Sequence, residues 1–230
     1  VRIAPRGGAL GVDIESVSVR GEGIDFLLDL VGGMNMNEPP EQMQFAFRRM
    51  RIPLDSDFLT QMNPALSEIR AKPCTLGGIL QHTGLAQVGF EQLEANARLG
   101  YRLNPRAGEL TFRVGYDLEG VERSTLELEL TGVSQPAAMA MGAMPSLARL
   151  DISYALETDY TQAVTGYCAQ QQGLSPAQFV DTLLNQDESY FARNVGFIPG
   201  AGIRSIMRSL LTQSGELEIT ATPAAALNPM

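Results

Sequence analysis

The stretch ELTFRVGYDLEG, residues 109–120, decides the fold because its apolar side chains alternate with polar ones. On one side of an extended chain fall Leu110, Phe112, Val114, Tyr116 and Leu118. On the other side fall Glu109, Thr111, Arg113 and Asp117. An alternation of this kind predicts a half-buried strand of an antiparallel sheet, with one face toward the core and the other toward solvent.

The neighbouring segments repeat the pattern. Residues 93–103 alternate in the same way, and NPRAG at 104–108 supplies turn residues between the two segments. A third alternating run follows at 126–130, with Leu126, Leu128 and Leu130 on the inward side. The sequence therefore predicts three consecutive strands joined by short turns, which is a β-meander.

Five more segments have strand character: 10–20, 23–30, 42–54, 147–158 and 215–222. In 10–20 and in 42–54 the alternation of apolar residues shifts once by a single position, at 15–16 and at 48–49 respectively. Such a shift predicts a β-bulge. Several of these strands exceed the usual length of about 5–6 residues. Long, bulged strands with one apolar face predict a strongly curved sheet.

Helical spacing dominates the C-terminal third. The segment LSPAQFVDTLLNQ, residues 174–186, has Ser175 as N-cap and Gln178 at the capping-box position. The helix that it opens is expected to carry Asp181, Asp187 and Glu188. Two more helices are predicted at 160–171 and 201–212, with shorter ones at 56–71 and 75–83. Their inward faces comprise Tyr160, Ala163, Val164, Tyr167 and Cys168 in one, and Ile203, Ile206, Met207, Leu210 and Leu211 in the other. The glycine-rich stretch 196–202 is expected to be a turn between helices.

The predicted fold class is α+β: a long, curved, mostly antiparallel sheet with amphipathic helices packed on its apolar face. No polar linker divides the chain, so a single domain is expected over 1–230. Within it, 1–70 is rich in strands and 71–230 holds the meander and the helices. The small, apolar stretch 134–146 is interpreted as a buried or half-buried connector.

Composition narrows the class of function. With 44% hydrophobic and 19% charged residues the chain is that of a folded protein, and its net charge of −9 opposes binding to nucleic acid and anionic lipid. The densest basic run, FRRMR at 47–51, suits the polar face of a strand, and no basic patch is visible. No stretch approaches the ~20 apolar residues that cross a bilayer. Because the chain begins at Val1, a signal peptide or membrane anchor upstream stays open.

The two cysteines, Cys74 and Cys168, allow three interpretations. A disulfide between them would close a loop of roughly 90 residues and stabilise the fold by about 4–5 kcal/mol in the chain-entropy model. Two unconnected buried thiols are the alternative expected in the cytosol. A catalytic Cys168 would need a base, for which His82 is the only histidine. The disulfide is favoured.

Other chemical motifs are sparse. Met139, Met141 and Met144 could line a flexible apolar groove, pack in the core or bind Cu(I). No His or Cys lies beside them in the sequence, which makes a copper site the least favoured of the three. No Ser-His-Asp arrangement, EF-hand, phosphate-binding loop or metal-hydrolase spacing is present. No catalytic, cofactor-binding or metal-binding residue is therefore predicted.

Two long stretches resemble the YdgA-like bacterial envelope proteins, a group of unknown function. They are LGYRLNPRAGELTFRVGYDLEGVERSTLELELTGV at 99–133 and LARLDISYALETDYTQAVTGYCAQQQGLSPAQF at 147–179, followed by SLLTQSGELEITATPAAALNP at 209–229. The resemblance covers roughly residues 74–229. It implies a periplasmic location, free or held by an N-terminal anchor, and brings no known activity, cofactor or site residue.

Three functional hypotheses follow. The first is a non-enzymatic envelope protein that binds a hydrophobic ligand or lipid in an apolar groove. The second is a protein–protein interaction or assembly module of the envelope, which requires an exposed apolar patch or a free sheet edge. The third is a hydrolase with an unrecognised site. The first two account better for the absence of a catalytic set.

Overall fold

A computed structural model of the chain describes residues 2–3, 13–21, 41–54, 72–133, 145–213 and 215–223, with backbone alone at 2–3 and 21. The expected strand at 23–30, the helix at 56–71 and the methionines Met139, Met141 and Met144 lie outside the described residues.

The described strands form one open antiparallel sheet in which the order across the sheet equals the order along the chain. The eight strands are β1 (Arg2–Ile3), β2 (Asp13–Gly21), β3 (Gln42–Pro53), β4 (Gln92–Asn104), β5 (Glu109–Leu118), β6 (Glu122–Thr131), β7 (Ser146–Leu156) and β8 (Glu216–Ala221). The predicted α+β class with a curved meander sheet is confirmed.

Five α-helices and one 3₁₀ helix complete the described part. They are α1 (Leu76–Leu80), the 3₁₀ helix Ala86–Val88, α2 (Thr158–Gln172), α3 (Pro176–Leu184), α4 (Glu188–Val195) and α5 (Ala201–Gln213). The capping box of Ser175 and Gln178 begins α3 as predicted. The placement of Asp187 and Glu188 on the helix of Asp181 was wrong. The Asp187 carboxylate accepts a hydrogen bond from the backbone amide of Tyr190 and so starts a separate helix.

The predicted bulge at 48–49 is confirmed, and the one at 15–16 is wrong. The register between β3 and β4 shifts between Phe47 and Met50, and Arg49 adopts a φ of 47°. In contrast, β2 keeps a constant register against β3 from Ile14 to Ser16. The positions at which β2 and β3 change their inward side lie opposite each other in the sheet. The two strands therefore distort together, and neither has an extra residue relative to the other. A further bulge, between β6 and β7, lies near Glu129.

The core lies at one end of the sheet, where β3, β5 and β7 finish and β4, β6 and β8 begin. Ile52, Leu93 and Leu156 from the strands pack there against the helices. The helical contribution to this cluster includes Tyr160, Val164, Cys168, Phe179, Val180, Leu183, Leu184, Phe191, Leu210 and Leu211. The described helices thus cover one half of the apolar face.

In two helices the predicted inward face is only partly correct, although Tyr160, Val164 and Cys168 of α2 are fully buried as predicted. In α2, Thr161 and Thr165 are buried while Ala163 is exposed. The Thr165 hydroxyl donates to the Thr161 carbonyl oxygen at 2.6 Å, which satisfies this polar group inside the core. In α5, Leu210 and Leu211 are buried, but Ile203 and Ile206 are 45% and 40% exposed.

We expect Gly77→Ala and Gly166→Ala to change stability in opposite directions. A Cβ at Gly77 would lie 2.3 Å from the backbone oxygen of Asn194 in α4, whereas one at Gly166, within α2, would meet nothing within 4 Å. The first substitution should lower the free energy of unfolding by about 1–3 kcal/mol. The second should raise it by about 0.5–1 kcal/mol, since alanine is the better helix former. Urea unfolding of both variants checks this, and a neutral Gly77→Ala would contradict the packing of α1 on α4.

Candidate functional site

Residues 72–91, here called the α1 segment, connect the helical layer to the sheet. The sulfur atoms of Cys74 and Cys168 lie 2.08 Å apart, at the distance of a disulfide. The Tyr190 hydroxyl of α4 accepts a hydrogen bond from the Leu76 amide at 2.9 Å. Leu76 and Ile79 are fully buried. A covalent bond, a hydrogen bond and apolar packing therefore fix the segment against α2 and α4.

A carboxylate lies inside the apolar face at the same place. Glu122 begins β6, after a tight turn at Glu119–Val121, and it is 5% exposed. Its Oε1 accepts a hydrogen bond from the Tyr116 hydroxyl at 2.8 Å, and its Oε2 accepts one from the Tyr154 hydroxyl at 2.5 Å. Tyrosines from both neighbouring strands thus satisfy the buried carboxylate.

His82 joins this cluster from the α1 segment. Tyr160 of α2 donates its only hydroxyl hydrogen to the Ile79 carbonyl oxygen at 2.7 Å. Its oxygen must therefore accept from His82 Nδ1 at 3.0 Å, which makes Nδ1 the protonated nitrogen. His82 Nε2 lies 3.0 Å from Glu122 Oε2, but the two are not aligned as a hydrogen bond. Because an unprotonated Nε2 would turn its lone pair toward the carboxylate, the contact is favourable only as an ion pair with the doubly protonated imidazolium.

The surroundings determine the ionisation of these side chains. Burial alone would raise the pKa of Glu122, but the contact with His82 and the hydrogen bonds from Tyr154 and Tyr116 outweigh it, so this pKa lies below its ordinary value. Burial, with the charge of Glu122, raises the pKa of Tyr154 and of Tyr160. The carboxylate is therefore ionised and the tyrosines remain protonated donors at neutral pH.

The cluster is largely enclosed by the sheet and the α1 segment. The His82 and Glu122 side chains are only 9% and 6% exposed. Neither residue lines the open groove on the other face of the sheet. Cys168 is bonded to Cys74, so it offers no thiolate to His82. Backbone strain is present, since His82 adopts a left-handed φ of 55°, and the hydrogen bond to Tyr160 holds the ring in place there.

Beyond the helices the apolar face of the sheet continues. Cross-strand pairs on this face include Leu99 with Val114, Val114 with Leu126, and Leu126 with Ile152. Leu99 is 39% exposed and Ile219, paired with Ile152, is 43% exposed. The described helices do not bury this half. The predicted groove residues Met139, Met141 and Met144 lie outside the described residues.

The opposite face forms an open groove of about 990 Å³. Arg98 and Arg102 line it from β4, and Arg113 from β5, with acidic side chains such as Glu127 toward β6–β8. The sequence showed no basic patch because these arginines belong to separate strands. Along β4 and β5 these arginines alternate with Leu99 and Val114, so their side chains lie on the other face of the sheet. The alternation of the sequence was therefore enough to deduce that they share a face.

Glu122 is the site residue that the sequence analysis missed. It has the same parity as Leu126, Leu128 and Leu130, which were correctly placed on the inward side. A charged residue at an inward position of a strand is the signal that could have identified it, because such a group needs partners. In the described part of the chain, no group of three or more His, Cys, Asp or Glu side chains could hold a metal.

Reduction of the Cys74–Cys168 bond should lower the free energy of unfolding by about 4–5 kcal/mol, because the unfolded chain gains the entropy of an open loop. We expect the urea midpoint of the reduced, alkylated protein to fall accordingly. The Cys74→Ser, Cys168→Ser double variant should match the reduced protein and be insensitive to reductant. An equal midpoint for the oxidised and reduced wild type would contradict this role.

Glu122→Gln should lower the free energy of unfolding by about 1.5–3 kcal/mol at neutral pH, since it weakens hydrogen bonds to a charged group. The folded-state pKa of Glu122 lies below the unfolded value. Its contribution is therefore present above the unfolded pKa and is lost as the pH falls through the folded pKa.

Thermal unfolding from neutral pH down to below the ordinary carboxyl pKa should thus show a steeper acid loss in the wild type than in Glu122→Gln. The exposed Glu109→Gln is the matched control on β5 and should keep the wild-type profile. Parallel profiles for wild type and Glu122→Gln would contradict a lowered pKa.

None of the described helices is long and apolar enough to span a membrane. No family model, curated protein or solved structure matches the chain. Its function is therefore inferred from the two faces of the sheet and from the cluster around Glu122.

Proposed function

We propose that this protein is a non-enzymatic binding protein of the bacterial envelope that holds a hydrocarbon chain on the apolar face of its sheet. The observation that carries the proposal is the extent of that face. It continues past the described helices through Leu99, Val114, Leu126, Ile152 and Ile219.

The chemistry of this half-face favours an aliphatic ligand. Its further rungs add Tyr101, Phe112, Leu128 and Leu150. Tyr101 supplies the one hydroxyl among these side chains, so few polar groups are available to orient a polar small molecule. A hydrocarbon needs no such partners, because apolar burial is non-directional.

The dimensions favour an elongated ligand. From Val114 to Leu110 the inward side chains of β5 extend roughly 13 Å along the strand, and the five strands β4–β8 add roughly 19 Å across it. A chain of many methylene groups lying across these strands would gain about 0.8 kcal/mol for each CH₂ fully buried. An acyl chain is therefore the occupant to which the proposal commits.

The disulfide supports an oxidising compartment, as does the resemblance to the YdgA-like envelope proteins. Disulfides persist in the periplasm and are rare in the cytosol, where thiols are kept reduced. Cys168 is fully buried, and its bond to Cys74 closes a long loop between the helical layer and the α1 segment. This bond is a structural element that a reducing compartment would remove.

An assembly module is the second candidate, and a different surface favours it. Phe197 and Ile198, in the turn before α5, are 45% and 53% exposed. They adjoin in sequence the exposed part of the α5 stripe, Ile203 and Ile206. Sedimentation analysis separates the candidates: self-association abolished by Ile203→Gln and Ile206→Gln would favour assembly over ligand binding.

Leu99→Gln combined with Ile219→Gln should reduce acyl-chain binding. Both side chains are exposed, so the substitutions should leave the fold intact while they remove apolar contact from β4 and β8, the two outer strands of the half-face. Displacement of a fluorescent fatty acid from the oxidised protein measures the effect, and native mass spectrometry detects ligand that co-purifies. We expect about a tenfold loss of affinity, as about 1.4 kcal/mol would give.

Thr125→Gln is the matched control, since Thr125 is exposed and lies next to Leu126 in β6 but points to the opposite face. It should bind as the wild type does. Equal binding by the control and the double variant, or no binding by the wild type, would contradict the proposed function.

A further inference from the structure

The polar face of the sheet carries a concentration of arginines around one glycine. Gly100 in β4 pairs with Gln44 of β3 on one side and with Arg113 of β5 on the other. Arg98 and Arg102 are its next neighbours on the same face of β4. Arg20 of β2 pairs with Gln44 and so lies in the same rung.

The spacing lets these side chains converge over Gly100. The Cα atoms of Arg98 and Arg102 are roughly 13 Å apart along the strand, and Arg20 lies two strand spacings, roughly 10 Å, from Gly100. Gly100 has no side chain to fill the space between them. A Cβ there would come within 3.0 Å of the Met43 carbonyl oxygen, so the strands are too close to accept one without adjustment.

Three of these arginines have no acidic partner among the described residues. Arg113 pairs with Glu127 at 2.6 Å. Within the described ranges, however, no carboxylate forms an ion pair with Arg20, Arg98 or Arg102. Exposed arginines elsewhere on the sheet, such as Arg51 and Arg149, do have carboxylate partners. In a chain of net charge −9, three neighbouring arginines without a carboxylate partner in the described part of the chain concentrate positive charge around Gly100.

We propose that this groove is an anion-binding site for a phosphate group, held over Gly100 by Arg20, Arg98 and Arg102. Guanidinium groups match phosphate oxygens through paired, charge-assisted hydrogen bonds. Gln44 adds an uncharged amide at the same rung. The groove of about 990 Å³ leaves room for a larger molecule that carries the phosphate.

The acidic half of the groove limits what that molecule can be. Glu127, Glu129 and Asp151 line the side toward β6–β8. A long polyanion lying along the groove would meet these carboxylates and be repelled. The site therefore fits a compact phosphate or diphosphate group rather than a nucleic acid. Strand alternation places the three arginine side chains on the opposite face from the proposed hydrocarbon site, so either proposal can fail without the other.

Titration calorimetry with inorganic pyrophosphate at low ionic strength tests the site on the oxidised protein. Vesicles of phosphatidylglycerol and of phosphatidylcholine form a second arm, which separates a lipid phosphate from a soluble one. Binding of pyrophosphate alone identifies a soluble phosphate compound, and binding of phosphatidylglycerol vesicles identifies a lipid headgroup. Either result supports the site, provided that the arginines are required.

Arg98→Gln with Arg102→Gln should weaken binding about tenfold or more, since each loses charge-assisted hydrogen bonds. Arg20→Gln, on another strand, should weaken it independently. Arg123→Gln is the matched control, because Arg123 is an exposed arginine of β6 on the same polar face of the sheet but outside the groove. Failure of both probes to bind the wild type, or equal loss with the control, would overturn the proposal. Since Arg98 and Arg102 are exposed, thermal unfolding should show the variants folded.

Discussion

The structure depends on covering one apolar face of a long antiparallel sheet. Strands β2–β8 present an apolar inward surface, and the removal of that surface from water drives folding. The described helices α2–α5 cover the half near Leu93, Leu118 and Leu156. The α1 segment closes this half from the side, and the Cys74–Cys168 bond keeps it there.

The cluster around Glu122 determines how the cover fits. A carboxylate on an apolar face is stable only with its full set of partners, and here they come from β5, β7 and the α1 segment. Tyr160 connects His82 to α2. A shifted helical layer would leave the charge without these contacts, so the cluster specifies one arrangement where apolar packing alone would tolerate several.

Local pattern was sufficient to predict the meander, because β4–β6 alternate over their full length and are joined by short turns. It also predicted α3, whose capping box is a local signal. Pattern could not predict the register of β2 at Ile14–Ser16, which depends on its neighbour β3, or the exposure of Ile203, which depends on how far α5 extends beyond the core. Glu122 was missed because two of its partners, His82 and Tyr154, are distant in sequence, although its inward position in β6 was a signal. The arginines around Gly100 were missed for the same reason, since only the pairing of four strands brings them together.

The covered half of the sheet also governs both candidate binding faces. A slip of one residue in β4 would exchange Leu99 with Arg98 and so destroy the apolar face and the arginine groove together. In the open half of the sheet Leu99 and Ile219 are already exposed. A slip there would lose little buried apolar surface, so burial opposes it only weakly. In the covered half the same slip would move Leu93 into solvent and Glu94 into the core. The helical layer, with its disulfide and its buried carboxylate, therefore fixes the register of strands whose exposed ends carry both candidate sites.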